Sequence, residues 1–494
     1  MPTSDGTTGF CGQPVLTVAQ MRAAEAAAIE AGASEWDLML RAGEGAAEFI
    51  WRVSAGRPVI VLCGPGNNGG DGYVIAESLR ARSGTVHVIA AREAGTECAR
   101  KARAGYSGTV LEAGAAVRGD VLVDCLFGYG LSRPLGGDLA DLLVASHRRH
   151  ATRVAIDVPS IVECDTGAVI GPDLRYDATL ALGAWKYAHV LEPARVRCGM
   201  LELVELPLGP LESGAALAGR PVIEPPSRDA HKYTRGVVGI VAGPMGGAAT
   251  LAAEGAMRAG AGYVRLLSNG SHRAAPAALV IDATPIGEAM GERRLDAVLV
   301  GPGLGRDAAA AEKLRAVIAS RRPCVLDADA LMLLTPELLE APLPPNTVLT
   351  PHSGELSVLA KAFSIEGKGK CETARSLARA LGAFVLAKGP DSVLAKPDGC
   401  LTFFPGASRW LSTAGTGDVL AGLIAARLAT GQPPRQATTA AIFLHREAAR
   451  LAGPSFTADD LAQQVSRALQ NMLPDRRCQA DSAVNPEPAD LRRR

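Results

Sequence analysis

From Leu16 to about Ile50, apolar residues recur at helical intervals: Met21, Ala24 and Ala28, then Leu38, Leu40, Ala47 and Ile50. That spacing predicts amphipathic helices. Beyond it the pattern changes to short apolar runs separated by longer mixed segments. Val59–Cys63, Val86–Ala90, Val121–Phe127, Val154–Val158, Ala178–Leu182 and Leu201–Leu206 read as buried strands, with Gly64–Gly72 as a glycine loop and Tyr73–Arg82 as a helix. A second series begins after residue 230 with Val237–Ala242, Tyr263–Leu267, Ala297–Val300, Cys324–Asp327, Thr347–Leu349 and Ala383–Ala387. Val393–Lys396 and Leu401–Phe404 flank Pro397–Gly399 and predict a hairpin. Buried strands alternating with helices predict an α/β protein whose parallel sheets are covered on both faces. Two domains are expected, 15–213 and 224–474. Between them the Pro- and Gly-rich stretch Pro207–Pro226 reads as a linker. Residues 1–14 read as loose and 475–494 as a disordered tail, because the tail has almost no apolar content.

Composition narrows the function classes. Hydrophobic residues make up 48% of the 494, yet only 4 Trp, 7 Tyr and 9 Phe are present, so the core rests on Ala, Val and Leu. Lys plus Arg equals Asp plus Glu at 51 each. No net charge is available to attract nucleic acid or an anionic membrane surface. The ten cysteines form no CxxC pair, which argues against zinc and dithiol redox chemistry. Cys63, Cys125 and Cys324 lie inside strand-like runs and read as small core residues. No basic start precedes an apolar run, and no stretch approaches the ~20 apolar residues of a spanning helix. The expected setting is cytoplasmic.

The first candidate chemistry is the loop Gly64-Pro65-Gly66-Asn67-Asn68-Gly69-Gly70-Asp71-Gly72 between a buried strand and a helix. Glycines let backbone amides approach an anion at a helix N-terminus. A tight turn with Asp71 as helix cap explains the same residues without a ligand. Two later strands end in polar residues. Asp124 precedes Cys125-Leu126-Phe127-Gly128-Tyr129-Gly130-Leu131-Ser132-Arg133-Pro134, and Asp157 precedes Val158-Pro159-Ser160. In open α/β sheets such strand ends converge on the ligand crevice. Buried acids are paired or functional. Asn68, Asp124 and Ser160 offer oxygens suited to a monovalent cation, and Arg133 either faces a phosphate or is a surface cation.

These three motifs, followed by Asp165-Thr166-Gly167, resemble the NAD(P)H-hydrate epimerase family from about Leu16 to Leu208. The resemblance implies a Rossmann-like three-layer αβα domain. It implies substrate contacts at Asn67, Asn68, Gly69, Gly70, Asp71, Gly128, Tyr129, Gly130, Leu131, Ser132, Arg133, Pro134 and Asp157, and potassium ligands at Asn68, Asp124 and Ser160. Asp157 is the expected catalytic acid/base. The family usually carries Thr in place of Tyr129 and Gly in place of Ile161. If the usual glycine conformation were kept, Ile161 would be strained by ~1–3 kcal/mol and the Ser160 loop would shift.

In the second series, Ser412-Thr413-Ala414-Gly415-Thr416-Gly417-Asp418 precedes an apolar helix. Amides at that N-terminus form an anion hole, and an Asp beside it can take a proton from a hydroxyl attacking a phosphoryl group. A capped helix with an acid in its first turn is the bland alternative. Gly301–Gly305, Asp327–Leu331, Thr350–Glu355 and Lys388–Ser392 end other strands, and no Walker A sequence is present. The set resembles the ribokinase-like fold, and within it the ADP-dependent NAD(P)H-hydrate dehydratases, from about His231 to Leu469. Nucleotide contacts are implied at Lys388, Gly389, Pro390, Asp391, Ser392 and Gly417. Substrate contacts are implied at Ala253, Gly303, His352 and Asp418, with Asp418 also the base. The family commonly has Asn in place of Met332 and an Asn-Pro-Gly segment in place of Ala407-Ser408-Arg409-Trp410-Leu411.

Both families occur fused in this order in bacterial repair enzymes. The resemblance therefore implies a bifunctional protein that epimerises R- and S-NAD(P)H hydrate and dehydrates the S form with ADP, releasing NAD(P)H, AMP and phosphate. Potassium would serve the epimerase, and Mg2+ would accompany ADP. The expected partners are the small molecules NADHX, NADPHX and ADP, with no nucleic acid and no membrane; a homo-oligomer is compatible with the sequence. The alternative is a ribokinase-like small-molecule kinase fused to a non-catalytic binding domain.

Overall fold

The computed structural model describes residues 12–474 apart from 114, 116–118, 273–274, 340 and 368. The expected tail at 475–494 and the first eleven residues, with Cys11 and Cys478, lie outside the described residues. The chain forms two compact units. One comprises Gly12–Leu217 with Phe403–Pro405; the other comprises Ala218–Thr402 and the described residues from 406 onward.

In the first unit, β1 (Val15–Leu16), α1 (Val18–Glu30) and α2 (Glu35–Ser54) precede a βα series. The series is β2 (Val59–Cys63), α3 (Asn67–Ala81), β3 (Val86–Ala90), α4 (Glu97–Gly105), β4 (Thr109–Glu112), β5 (Val121–Cys125), α5 (Gly137–Arg149) and β6 (Thr152–Ile156), followed by β7 (Ala178–Leu182), β8 (Trp185–Lys186), β9 (Met200–Val204) and β10 (Ala215–Leu217). Seven strands form one parallel sheet in the order β4-β3-β2-β5-β6-β7-β9. Alternate residues of β2 face opposite cores: Val59, Val61 and Cys63 pack with α2 and α3, and Ile60 and Leu62 pack on the other face. This is why β2 is apolar at every position.

Several sequence expectations need correction. The glycine loop is only three residues long, because α3 begins at Asn67 with Gly66 as its N-cap and Gly70 N–H already donating to Gly66 O at 3.1 Å. Part of the expected linker packs on the first unit: Leu208 is buried and Ser213 Oγ donates to Val15 O at 2.6 Å. Ile161 is not strained. Its φ is not positive; it is fully buried among Leu62, Val158 and Val162, and its carbonyl accepts Ile170 N–H at 2.8 Å. The left-handed residue of that loop is instead Asp157, with φ +68°.

The second unit runs β11 (Val237–Val241), α6 (Gly246–Arg258), β12 (Tyr263–Leu267), β13 (Val280–Asp282), α7 (Ile286–Gly291), β14 (Ala297–Val300), α8 (Ala308–Ala319), β15 (Cys324–Leu326) and α9 (Asp329–Leu333). It continues with β16 (Val348–Leu349), α10 (Ser353–Ala362), α11 (Gly369–Leu381), β17 (Phe384–Ala387), β18 (Ser392–Ala395), β19 (Leu401–Phe404, of which Leu401 and Thr402 fall in this unit), α12 (Thr416–Ala429), α13 (Pro434–Ala452) and α14 (Ala458–Met472). Its strand order is β19-β18-β17-β16-β15-β14-β11-β12-β13, parallel from β17 to β13 and antiparallel between β17 and β18. The expected hairpin closes through Lys396 N–H to Cys400 O at 2.9 Å.

Every residue of helix α12 from Val419 to Ala429 is buried, and all but Arg427 are apolar, as in a helix through a core. Gly422 lets α6 approach closely; a Cβ there would lie 2.0 Å from Ala252 O. Ala253 is fully buried in α6.

Candidate active sites

The strand order of the first unit reverses between β2 and β5, so the loops leaving their carboxyl ends diverge and open a crevice. A cavity of about 500 Å³ lies there, lined by Pro65–Asn68, Asp71, Leu126–Gly130 and Asp157, with Arg22, Glu25, Met39 and Leu182 among the remaining walls. Gly64 makes the sharp exit from β2 possible: a Cβ would sit 1.9 Å from Leu126 O. Asn67 is tied in place, donating from Nδ2 to Glu35 Oε1 at 2.7 Å and accepting the Thr96 hydroxyl at 2.6 Å.

Asp157 is the best-connected acid. Its Oδ2 accepts Tyr129 N–H at 2.8 Å, and its Oδ1 accepts Lys186 Nζ at 2.5 Å. Lys186 also donates to Leu182 O at 2.5 Å and is fully buried. The carbonyl of Asp157 accepts His189 Nε2–H at 2.7 Å, and His189 Nδ1 accepts Lys186 N–H at 3.0 Å, which fixes a neutral Nε2–H tautomer. Burial pushes the His189 imidazole down to about 4, so it stays neutral. The sequence reading missed Lys186 and His189. Lys186 lies on the two-residue β8, which has no apolar run to mark it.

Asp71 is 7% exposed, lines the cavity and has no hydrogen-bond partner among the described residues. Burial first, then the charges of Asp157 and Glu25, hold its carboxyl well above the usual range, against the pull of Lys186. Because α3 starts at Asn67 with Gly66 as its N-cap, Asp71 is not the helix cap. Behind the cavity, Asp124 accepts Leu126 N–H at 3.1 Å, Ser160 Oγ at 2.8 Å and the Tyr176 hydroxyl. Ser160 Oγ accepts Phe127 N–H at 2.9 Å. Asn68 donates to Ile156 O at 3.2 Å, but its Oδ1 is buried with no partner among the described residues.

Not every expected contact reaches the cavity. Gly69, Gly70, Leu131, Ser132, Arg133 and Pro134 do not line it. Gly69 and Gly70 are buried inside α3, though Gly69 N–H, in the first turn, has no intrahelical acceptor. Leu131 is buried in the apolar interior, and Ser132, Arg133 and Pro134 are exposed, so Arg133 faces solvent.

In the second unit, Lys388 at the end of β17 pairs with Asp327 at 2.7 Å, and Thr350 Oγ1 donates to the same carboxyl oxygen at 2.7 Å. Burial disfavours the charge on Lys388, but Asp327 more than offsets this and raises its pKa. Lys388 also approaches the start of α12, where a Cβ on Gly417 would lie 3.4 Å from Nζ. Asp418 follows in that first turn, half-buried. Burial, then the charge of Asp327, pushes its carboxyl up to about 7, against the pull of Lys388. Asp329 accepts Gly305 N–H at 3.0 Å and Arg306 Nε at 2.7 Å, which fixes the loop carrying Gly303.

Lys388, Gly389, Pro390 and Asp391 line a second cavity of about 720 Å³ with residues of α10 and α11. Ser392 does not line it but shapes the loop, donating from Oγ to Gly389 O at 2.7 Å and accepting Gly389 N–H at 3.1 Å. Lys370, missed by the sequence reading, lines this cavity and donates to Asp391 O at 2.9 Å. His352 caps α10, its Nδ1 accepting Gly354 N–H at 3.0 Å; its side chain remains 61% exposed, with Nε2 3.5 Å from Glu355 Oε1. Trp410, 50% exposed, sits on a turn held at both sides: Ala407 N–H donates to Pro390 O at 3.1 Å and Thr416 Oγ1 to Leu411 O at 2.8 Å.

Sequence comparison covers both units. A family profile described as NAD(P)H-hydrate dehydratase matches residues 238–471, and one described as YjeF-related protein N-terminus matches residues 35–188. The bifunctional NAD(P)H-hydrate repair enzyme Nnr of Mycobacterium tuberculosis is 36% identical over 441 residues, covering 85% of this chain and 90% of that protein. The Nnr of Salinibacter ruber is 34% identical over 527 residues, covering 93% and 95%. Among solved structures, the ADP/ATP-dependent NAD(P)H-hydrate dehydratase from Bacillus subtilis, co-crystallized with ATP/Mg2+, is 27% identical with a TM-score of 0.45, covering 51% of this chain and 95% of that one. The two matched profiles fall one on each unit, and the similarity to Nnr proteins runs through both. The chain belongs to the family of bifunctional NAD(P)H-hydrate repair enzymes.

Proposed function

We propose that the first unit epimerises R- and S-NAD(P)H hydrate at the crevice around Asp157, and that the second dehydrates the S form with ADP at the site of Asp418. The observation that carries this reading is the pairing of Asp418, its carboxyl pushed up to about 7, with the helix N-terminus and Lys388 beside it. A base poised near neutral pH beside an anion-binding amide cluster suits transfer of a phosphoryl group to a hydroxyl. The non-catalytic reading of the first unit is not favoured, because its relatives are bifunctional repair enzymes along the matched length.

Asp418 removes the proton from the ring hydroxyl of the hydrate. The freed oxygen attacks the terminal phosphorus of ADP, and the bond to the bridging oxygen breaks to release AMP. Lys388 and the amides at the start of α12 neutralise charge gathering on the transferred group. Phosphate then leaves with the electrons of the carbon–oxygen bond, the neighbouring carbon loses a proton, and the ring double bond returns. Lys388–Ser392 and Lys370 form the nucleotide side of the site, and Gly303 and His352 the hydrate side. Mg2+ would enter with ADP, bound to the nucleotide phosphates.

In the first unit, Asp157 exchanges a proton with the oxygen that leaves and rejoins the hydrate carbon, held in position by Lys186 and Tyr129 N–H. A potassium ion fits beside it. The buried Asn68 Oδ1 lacks a partner, which costs about 1–3 kcal/mol unless something satisfies it, and the neighbouring set from Asp124 and Ser160 is all oxygen. When bound, potassium would supply fixed positive charge that braces the loops after β5 and β6. Thallium or rubidium soaked into crystals should give an anomalous peak at Asn68, Asp124 and Ser160, and epimerisation should respond to potassium. No peak together with salt-independent epimerisation would remove the ion from the account.

The direct test of the whole reading is to incubate the S hydrate with the chain and ADP. NAD(P)H, AMP and phosphate should appear in equal amounts; hydrate that stays unchanged would refute it.

A further inference from the structure

Tyr129 connects two acids. Its N–H donates to Asp157 Oδ2 at 2.8 Å, and its phenol, at the far end of the residue, donates to Glu25 Oε2 at 2.7 Å. All three residues line the cavity. Lys186 Nζ lies 5.8 Å from the centre of the Tyr129 ring, so the ring is held between the Lys186–Asp157 pair and Glu25 on α1. Asp71 faces the same cavity, nine-tenths buried and without a partner, which is the signature of a side chain awaiting a ligand. Moving the hydroxyl from one face of the carbon to the other is served by a proton donor on one face of the ring and an acceptor on the opposite face. Asp157 supplies only one.

We propose that Glu25, with the Tyr129 phenol it accepts from, is the second proton-transfer group of the epimerase. This rests on the reading of the first unit as an epimerase. In one direction the Glu25–Tyr129 pair gives a proton to the hydroxyl of the hydrate. The carbon–oxygen bond breaks with its electrons going to oxygen, water departs, and the ring nitrogen stabilises the cation. Water then adds to the other face and gives its proton to the Asp157 carboxylate. The reverse direction uses the two groups in exchanged roles and restores both protons.

The charge environment fits a donor at Glu25. Burial is the largest influence and raises its pKa, as does the charge of Asp157, while the Tyr129 hydrogen bond and Lys186 act the other way and Glu35 adds a smaller repulsion. Arg22 and Asp71 also line the cavity. Glu25 is therefore held protonated to higher pH than an ordinary glutamate.

The experiment is to follow interconversion of R- and S-NADH hydrate, without ADP, above the enzyme-free rate and across pH, for the full chain and for Glu25→Gln and Tyr129→Phe. Each variant should lose about 10²–10⁴-fold in rate. In Glu25→Gln the limb of the pH profile on which wild type loses activity with rising pH should vanish. Tyr129→Phe keeps the ring beside Lys186 and the N–H to Asp157, so it separates the phenol from packing. ADP-dependent dehydration of the S hydrate, measured in parallel, should be unchanged in both and reports folding of the chain. If wild type epimerises and both variants keep its rate and profile, the assignment of Glu25 is overturned and the epimerase reading stands. If wild type does not epimerise, the epimerase reading itself fails.

Discussion

Asp418→Asn should lower ADP-dependent dehydration by about 10²–10⁴-fold, the usual loss when a general base is removed. Asn is the same size and keeps the first turn of α12, whose N-cap is Gly415 rather than Asp418, so folding should be nearly unaffected. Epimerisation, assigned to the other unit, should also persist. The pH dependence adds a sharper signature. The wild-type carboxyl is pushed up to about 7, mostly by burial and then by Asp327. A base acts in its ionised form, so the rate should rise with pH through about 7 and level off above it. The residual rate of the Asn variant should lack that limb. Dehydration by Asp418→Asn at near wild-type rate would show that the proton goes elsewhere.

Lys186→Met should be the most damaging single change in the first unit. Lys186 is fully buried and pairs with Asp157, whose side chain is 5% exposed. Removing one partner of a buried pair strands the other charge and typically costs about 3–5 kcal/mol. The unfolding transition of the first unit should therefore move to markedly lower denaturant, and epimerisation should fall with it. Adding Asp157→Asn removes the stranded charge, so the double variant should recover much of the stability while staying inactive as an epimerase. Recovery of activity with stability would mean that Asp157 has no chemical part. A Lys186→Met chain as stable as wild type would mean that the pair is relieved in solution.

The strands were legible because fully buried parallel strands are apolar at every position, as in Val59–Cys63 and Ala297–Val300. Short or amphipathic elements were not. Exposed β4 at the sheet edge and the two-residue β8 carry no such run. The start of α3 was misplaced because Asn67-Asn68-Gly69-Gly70 has low helix propensity, yet burial of the whole stretch from Gly69 to Ala76 holds those residues helical. Asp124, Asp157, Lys388 and Asp418 were readable as polar residues at strand or helix ends. Glu25 and Lys186 were not, because their roles depend on α1 and β8 reaching a crevice built from distant strands. Ile161 misled for a related reason. The positive φ of the Ser160 loop is taken by Asp157, which leaves Ile161 free to serve as core.

The central claim is that one chain repairs both epimers, and the most direct test starts from the R hydrate alone. With the full chain and ADP, purified R-NADH hydrate should convert completely to NADH, faster than its enzyme-free epimerisation allows, with one AMP and one phosphate released per NADH. Without ADP it should stop at a mixture of R and S. Conversion of the R form no faster than its enzyme-free epimerisation, while the S form is consumed readily, would contradict the account by showing that the crevice around Asp157 does not epimerise.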